Sequence, residues 1–511
     1  MRKKNSIFNM IGSLSSYFIA TIFTLITQAC LLKTLGIEYN GVNGLFTNII
    51  TMLSVAELGI GTTIIFKLYK PLADNNVSKI KAWMRFYKLC YRIVAGLITI
   101  VGLAIIPLIP LIVGEIEILE NIKILYLISL LDTILSYIMT YKRSVLYADQ
   151  KNYIINIVHI GYIAFMNITQ ILLLIIFKNY YLFLTVKLVY RLLENIIINV
   201  YINKKYPYIN EKVEPISKEE KNDVLTRVKA IFLQKVSFVI NKGIDNVVIS
   251  CVLGIAAVGY YTNYFTIVAA ITAIIFQIVS SFTASVGSLL TENNKDKNLD
   301  VYNKINFFNS IITAIAICGF VCCVQPFINL WVGKQYQLDF YVVISFGIYI
   351  YTDTIRRGIT IFKDAAGICK EDKWMYVIMA LINLISSILL CIFIGISGVI
   401  LGTALSYLFL IVYSYPKYIY EPIFKNKKIE YYKDVFKYLF LIVGSTSTSL
   451  IIINFIPCQN DIIQILVNGF IAIVITFCFF TLFLYRSHEY KYYFSFVKKI
   501  YNRFRKSKST N

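Results

Sequence analysis

Charge is what this 511-residue sequence has least of. Asp, Glu, Lys and Arg together make up 15% of it, and the acids are the scarcer sign, 28 against 50 basic residues. A soluble domain of this length needs far more charge to cover its surface. Histidine is nearly absent, with two residues. Cys318, Cys322 and Cys323 cluster without a histidine or a second cysteine pair beside them, so neither a metal site nor another cofactor site is expected. Most of the ten cysteines, including Cys30, Cys251, Cys391 and Cys478, lie in apolar segments, where a reduced, packed thiol is the ordinary state. There is no P-loop. The apolar run from Ile7 to Leu32 is too long for a signal-peptide core and is followed by no small-residue cleavage site, so it reads as a first span.

What is there is hydrophobic. Residues of that kind form 58% of the chain, and mean hydropathy is +0.68. They come in blocks of about twenty, the length a helix needs to cross ~30 Å of hydrocarbon at ~1.5 Å per residue. Ile, Leu and Val fill these blocks without period-2 alternation, which excludes a lipid-facing β-barrel. Breaks at charge, Gly and Pro predict fourteen helices: 7–32, 42–67, 84–113, 122–143, 153–177, 179–202, 226–252, 258–290, 304–331, 339–363, 375–394, 397–414, 433–455 and 462–485.

The surplus of positive charge does not point to nucleic acid, because it sits in short loops that alternate along the chain. One set holds Lys67, Lys70, Lys79, Lys81 and Arg85, then Lys142, Arg143 and Lys151, then Lys204, Lys205, Lys212, Lys218 and Lys221. It continues with Lys295 and Lys297, and with Lys417, Lys425, Lys427 and Lys428. The opposite set holds Lys33, Lys123, Lys178 and Lys334, beside Glu115, Glu117 and Glu120. By the positive-inside rule both termini are cytoplasmic. All outer loops are short, so no external domain is available for chemistry and no catalytic residues are expected.

The chain repeats itself. Leu35, Gly36, Ile37 and Gly41 recur 218 residues later as Leu253, Gly254, Ile255 and Gly259, and Asp132, Thr133 and Ile134 recur 221 residues later as Asp353, Thr354 and Ile355. The first helix thus maps onto the seventh and the fourth onto the tenth, in like orientation. The expected architecture is an all-α polytopic membrane protein of two parallel six-helix repeats plus a C-terminal helix pair. Its parts are an N-terminal bundle (1–202), a cytoplasmic linker (203–225), a second bundle (226–414), helices 13 and 14 (415–485) and a basic cytoplasmic tail (486–511). Parallel repeats about an axis along the membrane normal are a transporter design.

Gly243, Asp245 and Asn246, leading to Leu253, Gly254, Val258, Gly259 and Tyr260, resemble the seventh-helix signature of the polysaccharide flippases. The segment Phe362 to Lys373, with Gly367 in it, resembles the same family, as do Asn383, Ser386, Gly395, Gly398, Gly402 and Thr403. These are the capsule and O-antigen repeat-unit exporters of the multidrug/oligosaccharidyl-lipid/polysaccharide superfamily. The likeness runs from Gly36 to about Pro422. It implies a substrate, an oligosaccharide on a polyprenyl pyrophosphate, flipped from the inner to the outer leaflet of a bacterial plasma membrane. Membrane lipids, and glycosyltransferases and a polymerase of the same pathway, are the implied partners.

Six basic side chains stand out inside the spans: Lys187 and Arg191, Lys235 and Lys242, Arg356 and Arg357. Each costs roughly 3 kcal/mol or more at the bilayer centre unless it meets water or a partner. The implied pyrophosphate supplies a reason for them, since Arg and Lys donors replace its lost hydration. The bland alternatives are pairing of Lys242 with Asp245 and of Arg191 with Glu194, and snorkelling by Arg356. Glu57, Asp132, Asp245 and Asp353 also fall within spans, as coupling or structural carboxylates. No partner for Asp132 or Asp353 is visible in the sequence, and Thr133 and Thr354 beside them are candidates to cap neighbouring helices. His159 reads as a satisfied bundle residue. Two other readings compete. A cation antiporter of the same superfamily would have an acidic cavity, and a membrane glycan polymerase or ligase would need a large external loop.

Overall fold

Apolar blocks punctuated by asparagine, serine and glycine become helices whose ends those residues close. The computed structural model describes residues 2–54, 60–114, 116, 118–211, 214–292, 294–368, 371–424, 428–495 and 498. The side chains of 2–11, 13, 14, 62, 227, 229–231, 233–235, 242 and 284 lie outside that description. The described residues contain helices and no strand. The chain forms two compact units, one of residues 1–263 with 391–399, the other of 264–390 with 400–511.

In the first unit the helices are α1 (Arg2–Thr34), α2 (Ile37–Leu53), α3 (Ile60–Ala73), α4 (Val77–Ile105), α5 (Ile109–Val113), α6 (Ile122–Thr140), α7 (Arg143–Ala148), α8 (Asn152–Phe177), α9 (Tyr180–Lys205) and α10 (Lys218–Leu253). Asparagine side chains take the orphan amides at the starts of three of them: Asn76 for α4, Asn121 for α6 and Asn179 for α9. Ser217 and Glu220 form a capping box at α10. Helix α1 packs along α8, α8 on α9, α9 on α6 and α6 on α4. Near the C-terminal ends of α3 and α9 and the N-terminal end of α4 lies an apolar core that includes Leu68, Trp83, Met84, Leu146 and Ile202. Ile209 and Ile216 of the segment read as a linker are buried in it.

Helix α11 (Ile255–Ser280) is divided, its first turns to Asn263 belonging to the first unit and the rest to the second. The second unit continues with α12 (Thr283–Leu290), α13 (Lys295–Trp331), α14 (Phe340–Ile355), α15 (Arg357–Ala366), α16 (Lys373–Ile394), α17 (Ile396–Phe409), α18 (Glu421–Phe424), α19 (Lys428–Asn454) and α20 (Asp461–Leu484). Residues Ile396–Val399 of α17 fall in the first unit. Helix α13 is central, packed on α14, α19 and α20. Its Phe307 and Phe308 stack with Tyr493 of the C-terminal segment. Cys318 and Cys322 are buried in α13 against α20, and the Cys318 thiol donates to Ser449 Oγ.

Exposed side chains along the helices are large and apolar, among them Ile100, Leu111, Phe165, Phe393, Phe455 and Leu482. Such a surface needs an apolar solvent, and the protein is a multi-pass membrane protein. Among the described residues, eleven helical stretches are long and apolar enough to cross a membrane. Each of the fourteen apolar blocks contains helix, and three fall outside the eleven. Block 42–67 is split between α2 and α3, on either side of residues 55–59, which lie outside the described residues. Block 179–202 is α9, which carries Lys187, Arg191 and Glu194. Block 339–363 ends one helix at Ile355 and starts another at Arg357.

Candidate anion-binding site

Helix α9 carries Lys187, Arg191, Glu194 and Asn195 at spacings of three and four, so they share one face. That helix packs between α6 and α8, and Asp132 of α6 meets the face. Lys187 Nζ stands 4.0 Å from Asp132 Oδ2, and Arg191 Nε 3.5 Å from Asp132 Oδ1. Neither contact is a hydrogen bond. Asp132 Oδ1 and Arg191 Nε are both buried without a hydrogen-bond partner.

A second carboxylate anchors the far end of the cluster. Glu194 is completely buried and accepts from Arg191 Nη1 at 3.3 Å. It pairs with Arg143 Nη2 of α7 at 3.3 Å and meets His159 Nδ1 of α8 at 2.9 Å. Arg143 Nη2 also donates to Asn195 Oδ1 at 2.7 Å. The Arg191 guanidinium lies 4.7 Å from the centre of the Tyr162 ring, which stacks on His159. Three full cations therefore face two carboxylates, a surplus of one positive charge before His159 takes a proton. Lys187 keeps 36% of its side chain exposed and Arg191 keeps 24%. In a multi-pass membrane protein, cations exposed along an otherwise apolar helix need water or an anion beside them.

The repeat-related carboxylate is enclosed differently. Asp353 is fully buried, and its own helix end supplies its partners. Arg356 Nη2 donates to Oδ1 at 2.5 Å, while Arg357 Nη2 donates to Oδ2 at 2.9 Å and to Oδ1 at 3.1 Å. Arg356 is 4% exposed and lies over the Tyr407 ring, so it does not snorkel. Asn309 Nδ2 of α13 donates to the carbonyls of Thr354 and Ile355, which the break before α15 leaves open. Lys363 is buried against Asp372 and Tyr376. Burial pushes the Asp372 carboxyl up, and Lys363 opposes that shift.

Both carboxylates thus have partners that the sequence did not reveal. Thr133 and Thr354 donate within their own helices, to Ser129 O and Ile350 O, and Thr354 also accepts from Thr313 of α13. Asp245 is buried and accepts from the Tyr261 hydroxyl at 3.3 Å. The side chains of Lys235 and Lys242, and the whole of Glu57, lie outside the described residues. Sequence reasoning missed Arg143, which it placed in a loop. Its spacing from Asp132, eleven residues or about three turns, was the available signal. Among the described residues no group of three His, Cys, Asp or Glu side chains is placed to hold a metal ion.

The second unit also carries an apolar groove of about 600 Å³ between α19 and α20. Phe436, Phe440, Leu441 and Phe483 line it, together with Lys433 and Lys437.

Residues 34–338 match a family described as polysaccharide biosynthesis protein. No curated protein matches the sequence. Among solved structures, the lipid II flippase MurJ in an inward closed conformation aligns with a TM-score of 0.70 and 16% identity. The alignment covers 93% of this chain and 98% of that one. An inward-facing multidrug resistance MATE family transporter of the MOP superfamily gives a TM-score of 0.59 and 14% identity, over 79% of this chain and 96% of that one. A MOP superfamily transporter from Pyrococcus furiosus, described as having a binding pocket of reverse polarity, gives 0.50 and 12%, over 80% and 94%. At these identities the likeness is one of fold, and the fold is that of the MOP-superfamily transporters.

Proposed function

Because the chain belongs to the polysaccharide biosynthesis protein family, we propose that it is a flippase that carries a polyprenyl-pyrophosphate-linked oligosaccharide from the inner to the outer leaflet of a bacterial plasma membrane by alternating access. The observation that carries this reading is the surplus positive charge at Asp132, Lys187, Arg191, Arg143 and Glu194. A diphosphate leaving water needs donors of this kind, and Arg191 Nε and Arg143 Nε are buried donors with no acceptor. In this reading Lys187 and Arg191 touch the pyrophosphate, and Glu194 with His159 and Asn195 holds the arginines in place. The groove between α19 and α20 has the apolar lining that a polyprenyl chain requires. A cation antiporter would need the opposite sign of charge at the site. Helices 13 and 14 close the architecture as two spans beyond the repeats, with both termini inside.

The test is flipping of a short lipid-linked sugar in liposomes. Lys187→Ala and Arg191→Ala should each slow it at least tenfold, about 1.4 kcal/mol of lost interaction, with the protein still folded in the membrane. Lys187→Glu should be slower still, since it sets like charge against the phosphates. Full activity in both alanine variants would overturn the assignment.

A further inference from the structure

Helix α4 carries Lys79, Lys81, Arg85, Lys88 and Arg92 towards its N-terminal end and no acid anywhere along it. The first two are neutralised by the segment packed against them. Lys79 Nζ lies 3.5 Å from Glu220, and Lys81 Nζ 3.0 Å from Glu211. Arg85, Lys88 and Arg92 are exposed, and spacings of three and four put them on one face. Among the described residues no carboxylate pairs with Lys88 or Arg92, and Lys88 Nζ lies 5.9 Å from the Tyr141 ring. Beside them on the outer surface of α4 run Leu89, Ile93, Leu97 and Ile100, each between 49% and 68% exposed. The helical stretch that begins with α4 continues to Val113, 37 residues in all, whereas about twenty cross the hydrocarbon. Counting about twenty back from Val113 reaches Val94. Arg92 therefore stands at the edge of the hydrocarbon, with Lys88 and Arg85 about one and two turns beyond it. Cations at headgroup depth adjoin an apolar stripe at acyl-chain depth.

We propose that this face of α4 binds an anionic phospholipid, its phosphate among Arg85, Lys88 and Arg92 and its acyl chains along Leu89, Ile93, Leu97 and Ile100. The site is separate from the cluster on α9 and does not depend on the transport reading. Charge complementarity names the occupant. Like charges at spacings of three and four repel along a helix, and one phosphate shared between them removes that repulsion with charge-assisted hydrogen bonds. A zwitterionic headgroup brings its own cation and leaves the surplus in place. On α9 the buried carboxylates of Asp132 and Glu194 already hold the cations, whereas α4 supplies no such group. The loop charges put this end of α4 at the inner leaflet, where anionic lipids attract basic side chains at the membrane surface. Snorkelling into water would also satisfy the cations, but water confers no preference between lipids.

That preference is the test. The full-length protein, with Trp83, Trp331 and Trp374 replaced by Phe, receives one reporter, Ile93→Trp, and is placed in phosphatidylcholine vesicles. Brominated phosphatidylglycerol or brominated phosphatidylcholine then quenches the reporter by contact. Quenching should show about a fivefold preference for the anionic lipid. The preference should vanish in Lys88→Gln/Arg92→Gln and persist in Lys88→Arg/Arg92→Lys, which keeps the charge. A second reporter, Leu389→Trp on the exposed apolar face of α16, should show no preference, and this comparison decides even if the glutamine pair does not fold. Equal quenching by the two lipids at Ile93→Trp would overturn the site, as would a preference unchanged by the glutamines. Relief of the quenching by one equivalent of a polyprenyl pyrophosphate would assign the cations to that molecule and also overturn it. No outcome requires transport, so failure here leaves the flippase reading untouched.

Discussion

At residues 132–134 and again at 353–355 the chain spells Asp-Thr-Ile, yet the two carboxylates have different surroundings. Asp353 is satisfied within one turn by Arg356 and Arg357, three and four residues on, and is sealed from solvent. At the same offset of 221 the first repeat has Leu135 and Ser136, which offer no charge. Asp132 instead draws on Lys187 and Arg191 of α9, across a helix interface, at distances too long for hydrogen bonds. Positions 408 and 412, which lie at that offset from Lys187 and Arg191, are Leu408 and Val412. The charges have been divided differently between the repeats. A local, hydrogen-bonded ion triad makes a rigid helix junction. A loose pair between helices, with exposed cations, leaves donors that a ligand's anion can take over.

The largest consequence concerns stability. Asp353→Asn would leave Arg356 buried beside a neutral amide, and removing one partner of a buried pair costs about 3–5 kcal/mol. Asp132→Asn should cost about 1 kcal/mol or less, because Lys187 and Arg191 remain partly exposed. Thermal unfolding in detergent, read by thiol accessibility, compares the two directly. Equal losses would erase the distinction between structural and ligand-facing triads.

A smaller effect should appear in binding, and there the order reverses. Asp132 competes with any bound anion for Lys187 and Arg191, so Asp132→Asn should tighten binding of a short polyprenyl pyrophosphate about tenfold, or ~1.4 kcal/mol. Any Asp353→Asn protein that folds should bind as the parent does. Calorimetric titration of both variants measures this, and weaker binding by Asp132→Asn would make that carboxylate a positioning group for the site instead of a competitor.

The smallest difference is between the neighbouring threonines. Thr354 donates to Ile350 O at 2.6 Å and accepts from Thr313 at 3.1 Å, whereas Thr133 makes one longer bond, to Ser129 O at 3.3 Å. Thr354→Val should cost about 1 kcal/mol and Thr133→Val less than half of that. A Thr313→Val/Thr354→Val double mutant no worse than either single would identify their mutual bond as the source.

Much of this was legible in the sequence. A block of about twenty apolar residues can do little in a bilayer except form a helix, because every backbone amide must be satisfied within its own segment. Charge, glycine and proline at the block ends marked roughly where those helices begin and stop, and the asparagine caps emerged only in the structure. The repeat was legible too, since the glycines at 36, 41, 254 and 259 are dictated by backbone conformation and close approach, which leave no other residue in place. Even the list of intramembrane charges came from the sequence, once the apolar blocks were marked.

Pairing was not legible, because it depends on which helices lie side by side. Nothing in residues 122–143 says that α9 will face α6, so Asp132 looked partnerless and Arg143 looked like a loop residue. The sequence reads residues 339–363 as one helix, but the helix breaks at Arg356, and Arg356 and Lys363 pair with Asp353 and Asp372. The sequence by itself determined that this is a helical membrane protein built twice over, with cations where hydrocarbon forbids them unless they are compensated. Only the tertiary structure decided which of those cations are held by buried carboxylates and which stay partly exposed. Charge is a property of residues, whereas compensation is a property of the distances between helices.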